Sequence, residues 1–268
     1  MDMTLLYIVG GVSSRFGGKI KPLTIVGPNN ETIIEISMNQ ALKYGFNKIV
    51  LVVSALTENV FREKLGNSYK GIPIFYVIQE FDSKFRDKPW GTCDAVCCAI
   101  ELIKSPCVIC TGDEIYGEKT FEILTNHIKT QNTCSTIAKN LIEMIPERGT
   151  VNRGIFEVDE NNYVVDSREE LKINRKNIKE RGLKEEDLAS LSLFSLLPKT
   201  IEQLKIKLDE FKFKYKDSRI IECGLNVTLA ELVKERKAKI KLYKTPEKWM
   251  GITNPGDELE IQRVLSRN

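Results

Sequence analysis

The sequence contains one histidine, His127, and no second cysteine pair at zinc-ribbon spacing to accompany Cys107 and Cys110, which argues against a structural zinc centre. It has no excess of charge of either sign. Its 40 basic residues face 37 acidic ones, and a net charge of +3 gives no nucleic-acid footprint. No apolar run approaches the roughly 20 residues of a membrane span, and the start Met1-Asp-Met-Thr4 has no basic segment leading into an apolar one. A soluble, cytoplasmic protein that binds neither nucleic acid nor membrane is the expectation. Internal repeats, low-complexity tracts and a Pro/Gly-rich linker are missing too. With 42% hydrophobic content, 268 residues can bury one sizeable core, so we expect a single domain over 1–268. A change of pattern near residue 140 divides it into halves, 1–140 and 141–268. The seven cysteines are odd in number and sit mostly in apolar runs, as buried thiols of a reducing compartment do.

Short apolar runs alternate with helical spacing through the first half. Strands are expected at Leu5–Val9, Ile49–Val53, Ile72–Ile78 and from Cys107. Helices are expected at Thr32–Tyr44 with Gly45 as C-cap, Thr57–Leu65, Thr92–Ile103 and Glu118–Lys129. This rhythm predicts an α/β fold with a mostly parallel sheet covered by helices on both faces. The second half reads differently. A hairpin is expected around Glu160-Asn-Asn162, an exposed charged segment at Asn174–Asp187, strands at Leu188–Leu197 and Lys239–Tyr243, and a helix at Pro198–Phe213. The lone His127, on a charged helix, reads as surface.

Ligands on such sheets bind beyond the carboxyl ends of the strands. Beyond the first strand lies Gly10-Gly-Val-Ser-Ser-Arg-Phe-Gly-Gly-Lys-Ile-Lys-Pro-Leu23. Its glycines let backbone N–H groups approach phosphate, and Arg15, Lys19 and Lys21 supply charge-assisted contacts. The Gly-Lys-Ser/Thr ending of a P-loop is absent, and the glycines do not have dinucleotide-fingerprint spacing. Composition alone leaves a basic surface loop equally open.

The loop resembles the signature of the sugar-phosphate nucleotidyltransferases, in which a Gly-rich segment with Ser/Thr-Arg is followed by a Lys-Pro-Leu turn. The similarity continues in family order through Gly27-Pro-Asn-Asn-Glu-Thr32, Lys88-Pro-Trp-Gly-Thr-Cys-Asp-Ala95, Thr111-Gly-Asp-Glu-Ile-Tyr-Gly117, Gly149-Thr-Val-Asn-Arg-Gly154 and Lys248-Trp-Met-Gly-Ile-Thr253. Each motif is weak alone; their order carries the resemblance, which is closest to uridylyltransferases of the N-acetylglucosamine 1-phosphate type. It implies the Rossmann-like nucleotide-diphospho-sugar transferase fold, with a smaller β-rich part for the sugar. The implied partners are a nucleoside triphosphate and a sugar 1-phosphate, and the implied cofactor is Mg2+. The oligomeric state is left open.

By the same resemblance, Arg15 and Lys21 are the catalytic cations, and Gly10, Gly11, Ser14, Gln79, Gly91 and Thr92 bind the nucleotide. Thr92 also reads as the N-cap of its helix. Gly154, Glu169 and Ser192 face the sugar. Asp113 holds the metal, with Glu114 a weaker neighbour. The second metal ligand is open between Asn254 and Asp257, with Asn254 preferred. The sequence departs from the family at Ser13, where relatives have glycine, at Ser192, where they often have Asn, and at Gly251, where thymidylyltransferase-like relatives carry a metal-binding Asp. Two other classes stay open on these residues: a nucleotide-sugar-binding regulatory module without catalysis, and thymidylyl transfer to glucose 1-phosphate. A glycosyltransferase is disfavoured because no Asp-x-Asp motif is present.

Overall fold

A computed structural model of the chain describes residues 1–11, 20–147 and 149–266. Its centre is a run of short parallel strands buried on both sides. β1 (Thr4–Ile8) lies between β2 (Lys48–Val53) and β5 (Cys107–Thr111), with Leu5 opposite Ile49 on one side and Val108 on the other. β2 continues the parallel ladder to β4 (Ile72–Ile78), which pairs with the two-residue β3 (Ser68–Tyr69). The Val/Ile/Leu content of β1 and β2 suits strands that meet helices on both faces.

Beyond β5 the second half of the chain enters the same sheet. β10 (Leu188–Leu196) runs antiparallel between β5 and β7 (Cys134–Asn140), and β11 (Ile240–Lys244) extends β7 in parallel. β8 (Val151–Val158) and β9 (Val164–Ile173) form a long hairpin that joins the sheet through β10. The sheet is therefore mixed but mainly parallel, as expected. The hairpin is longer than its apolar core suggested, because the β9 residues Arg168, Glu169 and Glu170 are charged and resemble surface.

One face packs against α1 (Ile33–Ala41) and α4 (Glu118–Thr130), with Ile34, Met38, Phe121 and Leu124 fully buried. The other packs against α3 (Thr92–Cys98), α5 (Pro198–Lys214) and α6 (Leu225–Lys234), through Val96, Leu204 and Leu229. The Gly27–Thr32 motif has a local explanation. It is a turn whose Gly27 N–H reaches Glu31 O, followed by a capping box in which Thr32 and Glu35 satisfy each other's backbone N–H. Gly45 ends this region in the left-handed conformation, with φ +90. A small third cluster, Val26, Ile33, Ile115, Ile252 and Ile261, ties α7 (Asp257–Leu265) and the strand pair β6 (Glu114–Ile115)–β12 (Met250–Gly251) to the start of α1.

Two expectations are corrected. His127 is buried rather than on the surface. Its Nδ1 pairs with the Tyr243 hydroxyl at 2.9 Å, and its Nε2 faces the Thr133 hydroxyl at 3.0 Å. It lies three residues after Leu124, on the buried stripe of α4. The segment at Asn174–Asp187 is exposed as expected except at Ile178 and Leu183, which plug the first core. Six of the seven thiols are buried and all are free. No described helix is long and apolar enough to cross a membrane.

Candidate active site

The parallel strands β1, β2, β4 and β5 bring Gly10, Ser54, Gln79 and Gly112 to one edge of the sheet. Gly10 crosses the end of β2 so closely that a Cβ there would sit 3.1 Å from the Val53 carbonyl carbon. Gly11 lines the main cavity, and among the described residues no atom lies within 4 Å of a Cβ placed there. Ser13, Ser14 and Arg15 lie outside the described residues.

The Lys-Pro-Leu motif is one 3-10 turn, Lys21–Leu23, with proline at its start. Pro22 rests on Gly112. A Cβ on Gly112 would lie 3.0 Å from Pro22 Cγ and 2.4 Å from Val9 Cγ1. Only glycine in Thr111-Gly-Asp113 lets this turn and the end of β5 meet. The contact places Lys21 Nζ 3.8 Å from Asp113 Oδ2, and Nζ also donates to the carbonyls of Ile252 at 2.8 Å and Thr253 at 3.3 Å. Ile252 N–H bonds Asp113 O at 3.0 Å, so the segment leading to Asn254 is stitched to the Asp113 loop.

Burial holds the Asp113 carboxyl above the usual carboxylate range, against the pull of Lys21. Burial, reinforced by Asp113, pushes Glu114 up to about 7. Glu114 Oε2 is buried without a hydrogen-bond partner among the described residues. Arg153, desolvated and stacked 4.9 Å over Trp249, adds a cation facing both carboxyls. The corner thus brings two carboxyls and several backbone carbonyls together, with Lys21 and Arg153 as the cations facing them among the described residues. That suits a hard divalent cation, which accepts one or two carboxylates and completes its shell with phosphate and water. The residues fit the divalent metal that the resemblance implies, with Asp113 as the central donor.

Position 251 contributes no side chain. A Cβ there would meet the Trp249 ring at 2.8 Å and Glu114 Cγ at 3.2 Å. Asp257 is occupied as a turn former, its Oδ2 accepting the N–H groups of Thr253 and Asn254 at 2.8 and 2.7 Å. Asn254 Nδ2 is buried and unpartnered among the described residues.

A cavity of about 830 Å3 runs from this edge. Gln79, Gly91 and Thr92 line one end, and Glu169, Ser192 and Asn226 the other. Gly91 has φ +100 and no room for a Cβ, which would lie 2.7 Å from Cys223 O. Thr92 opens α3 but does not cap it. Its hydroxyl accepts instead from Leu225 N–H at 2.9 Å, because the 222–225 segment lies against the helix start. Arg86 clamps the same region by stacking 3.5 Å over Trp90 and donating to the carbonyls of Ser218 and Ile221. Gln79 Nε2 donates to Gly91 O at 3.0 Å and to Asp94 Oδ2 at 2.7 Å. Both amide protons face inward, and Oε1 is the end without a partner among the described residues.

At the other end Gly154 pairs with Glu169 across the β8–β9 ladder, and Asn226 lies directly over Gly154, where a Cβ would be 2.5 Å from Nδ2. Partial burial raises the Glu169 carboxyl, and the Asn226 amide bonds it and opposes that rise. Asn226 Oδ1 in turn accepts from Ser190 Oγ at 3.3 Å. Ser192 stands at a β10 irregularity with φ +53, its N–H on Ser190 Oγ at 3.0 Å.

The structure thus brings Gly11, Gln79, Gly91, Thr92, Glu169 and Ser192 to one cavity, and joins Lys21, Asp113 and the 252–254 segment in a corner beside it. Sequence reasoning missed Asp94, Lys212, Arg153 and Asn226. Asp94 left a signal, a carboxylate between buried Cys93 and Ala95 on α3. Asn226 left none, since its meaning depends on β8, 72 residues earlier.

Comparisons with known proteins bear on the family and the fold. The family described as Nucleotidyl transferase matches residues 16–180. The chain belongs to the nucleotidyl transferase family. No curated protein matches it. Among solved structures, it is similar to a provisionally assigned glucose-1-phosphate thymidylyltransferase from Bacillus anthracis, with TM-score 0.71 and 13% identity over 98% of this chain and 95% of that one. It is also similar to the inositol-1-phosphate CTP transferase of T. maritima, with TM-score 0.68 and 14% identity over 98% and 95%. HddC from Yersinia pseudotuberculosis, complexed with GMP-PN, gives TM-score 0.64 and 14% identity over 97% and 98%. At these identities the likeness concerns the fold.

Proposed function

We propose that the protein transfers UMP from UTP to a sugar 1-phosphate, with N-acetylglucosamine 1-phosphate favoured and glucose 1-phosphate next, releasing pyrophosphate and forming a UDP-sugar. The observation that carries this reading is the single cavity with an amide reader at Gln79 and a carboxylate–amide pair, Glu169 and Asn226, at its far end. A planar base fits against Gly91, where no side chain intervenes. The unpartnered Gln79 carbonyl accepts a ring N–H, as uracil N3–H offers. Glu169 and Asn226 suit neutral hydroxyls, since a carboxylate accepts from O–H and an amide can do either.

The reaction needs no protein nucleophile. A phosphate oxygen of the sugar 1-phosphate attacks the α-phosphorus of UTP in line, a P–O bond forms there, and the bond to the β-phosphate oxygen breaks as pyrophosphate leaves. The chain's task is to hold two anions together and offset their charge. Lys21 Nζ, fixed by two backbone carbonyls beside Asp113, contacts the α-phosphate and the incoming phosphate. Arg15, with the backbone of Gly10, Gly11 and Ser14, holds the leaving phosphates. Asp113 and Asn254 would hold Mg2+, which when bound would supply Lewis-acid stabilisation of phosphoryl charge.

A pyrophosphate-release assay crossing UTP, dTTP, CTP, GTP and ATP with several sugar 1-phosphates, with and without Mg2+, tests the proposal. Metal-dependent release with UTP and a hexosamine or hexose 1-phosphate is expected. No turnover with any pair would sink it. Since thymine offers the same ring N–H to Gln79, dTTP is the nearest competitor.

A further inference from the structure

We propose that Asp94, with Lys212, sets the nucleobase preference by locking the amide of Gln79 in one orientation. The inference rests on the reading that the Gln79 end of the cavity holds the base, and goes beyond it by assigning the choice of base to a residue that does not line that cavity.

Asp94 is 2% exposed, on the first turn of α3. Its Oδ1 receives the Lys212 ammonium from α5, and its Oδ2 receives Gln79 Nε2 at 2.7 Å. A carboxylate paired with a lysine is acceptor-only. The second amide proton of Gln79 meets another pure acceptor, Gly91 O, at 3.0 Å. Turning the amide over would set Oε1 against both oxygens and leave two buried acceptors unmatched. Gln79 therefore presents a carbonyl and no N–H. The bases that satisfy a lone acceptor carry a protonated ring nitrogen, as uracil, thymine and guanine do. Cytosine and adenine turn an unprotonated ring nitrogen to that position and reach the carbonyl only by shifting to their exocyclic amino N–H, so they fit it less well. Asp94 is thus a positioning residue acting through Gln79.

The decisive variant is Asp94→Asn, which keeps the shape and can turn its NH2 toward Gln79 while its carbonyl faces Lys212. The Gln79 amide can then reverse with only Gly91 O still opposing it, and offer an N–H to cytosine N3. Asp94→Ser, smaller and able to donate or accept, guards against a packing fault peculiar to Asn. For each protein, kcat/KM with UTP and with CTP is measured at one saturating sugar 1-phosphate, alongside Kd for each nucleotide by calorimetry. The wild type is expected to prefer UTP by about 10- to 100-fold, the scale set by one mismatched buried hydrogen bond. Both variants are expected to lower that ratio by about 10-fold, with CTP use rising or holding. In a Gln79→Leu background, Asp94→Asn is expected to leave the ratio unchanged, a coupling that a purely structural role would not produce. Equal losses for both nucleotides, an unmoved ratio, or a wild-type preference for CTP would overturn the proposal. A wild-type protein that turns over no nucleotide would instead overturn the functional reading beneath it.

Discussion

Adding one methyl group at Gly112 should impair catalysis without touching any group that contacts substrate. In Gly112→Ala the new Cβ falls 2.4 Å from Val9 Cγ1 and 3.0 Å from Pro22 Cγ, where ordinary contact begins near 3.4 Å. One neighbour must retreat by about 1 Å, a distance set by the overlap of close-packed atoms. Val9 is held in the core at the end of β1, so residue 112 itself is driven away from Val9 and into Pro22, and the turn that carries Lys21 shifts with it. Overpacking of this size costs about 1–3 kcal/mol. In a chain of this length that lowers Tm by roughly 2–12 °C. A shift of about 1 Å in a positioning cation costs on the order of 100-fold in rate. The assay is pyrophosphate release well below the variant's melting temperature, with circular dichroism to show that the fold persists. Val9→Ala in the same background removes the tightest contact and should restore much of both losses. A folded Gly112→Ala protein with wild-type kcat would refute the argument that this glycine sets the Lys21–Asp113 geometry.

Lys21→Ala should reduce kcat by about 100-fold or more if the ammonium offsets transition-state charge; rates near wild type in steady-state kinetics would count against its role. Asp113→Asn should weaken metal activation, read as a rise of at least about 10-fold in the Mg2+ concentration giving half-maximal rate, and an unchanged metal dependence would argue for another ligand. Gly154→Ala pushes a methyl to 2.5 Å from Asn226 Nδ2 and should raise KM for the sugar phosphate about 10-fold while sparing KM for the nucleotide; equal effects on both would contradict the division of the cavity. Burial holds the His127 imidazole below its ordinary value, against its bond to Thr133. The unfolded chain then binds a proton more readily, so this contribution is full above about pH 6.5 and is lost as pH falls below it. The Tm difference between pH 7.5 and 5.5 should shrink in His127→Gln, and an unchanged difference would show that the ring does not carry it.

Strands β2 and β5 were legible because buried parallel strands leave unbroken apolar runs, and β4, Ile72–Ile78, has the expected bounds although Ile74 is its one buried residue. Helix α3 ends sooner than its apolar pattern. Ala99 leaves helical geometry, and the rest of the pattern, Ile100–Leu102, tightens into a 3-10 turn. His127 misleads because its charged neighbours outweigh its spacing from Leu124. In the site, residues placed directly after a strand were readable: Gly10, Gln79 and Asp113 all lie at strand ends. Residues whose role depends on a distant partner were not. Asp94 acquires its role from Lys212 and Asn226 from Gly154, and no local pattern announces either pairing.

The central claim is that one cavity seats a base at Gln79 and a hexose at Glu169, with phosphoryl transfer beside Lys21 and Asp113. A crystal structure with a UDP-hexosamine and Mg2+ tests it most directly. The expected result is uracil N3–H on the Gln79 carbonyl, sugar hydroxyls on Glu169 and Asn226, and the ion on Asp113. A nucleotide sugar bound away from Gln79 and Glu169, or an ion held without Asp113, would contradict it.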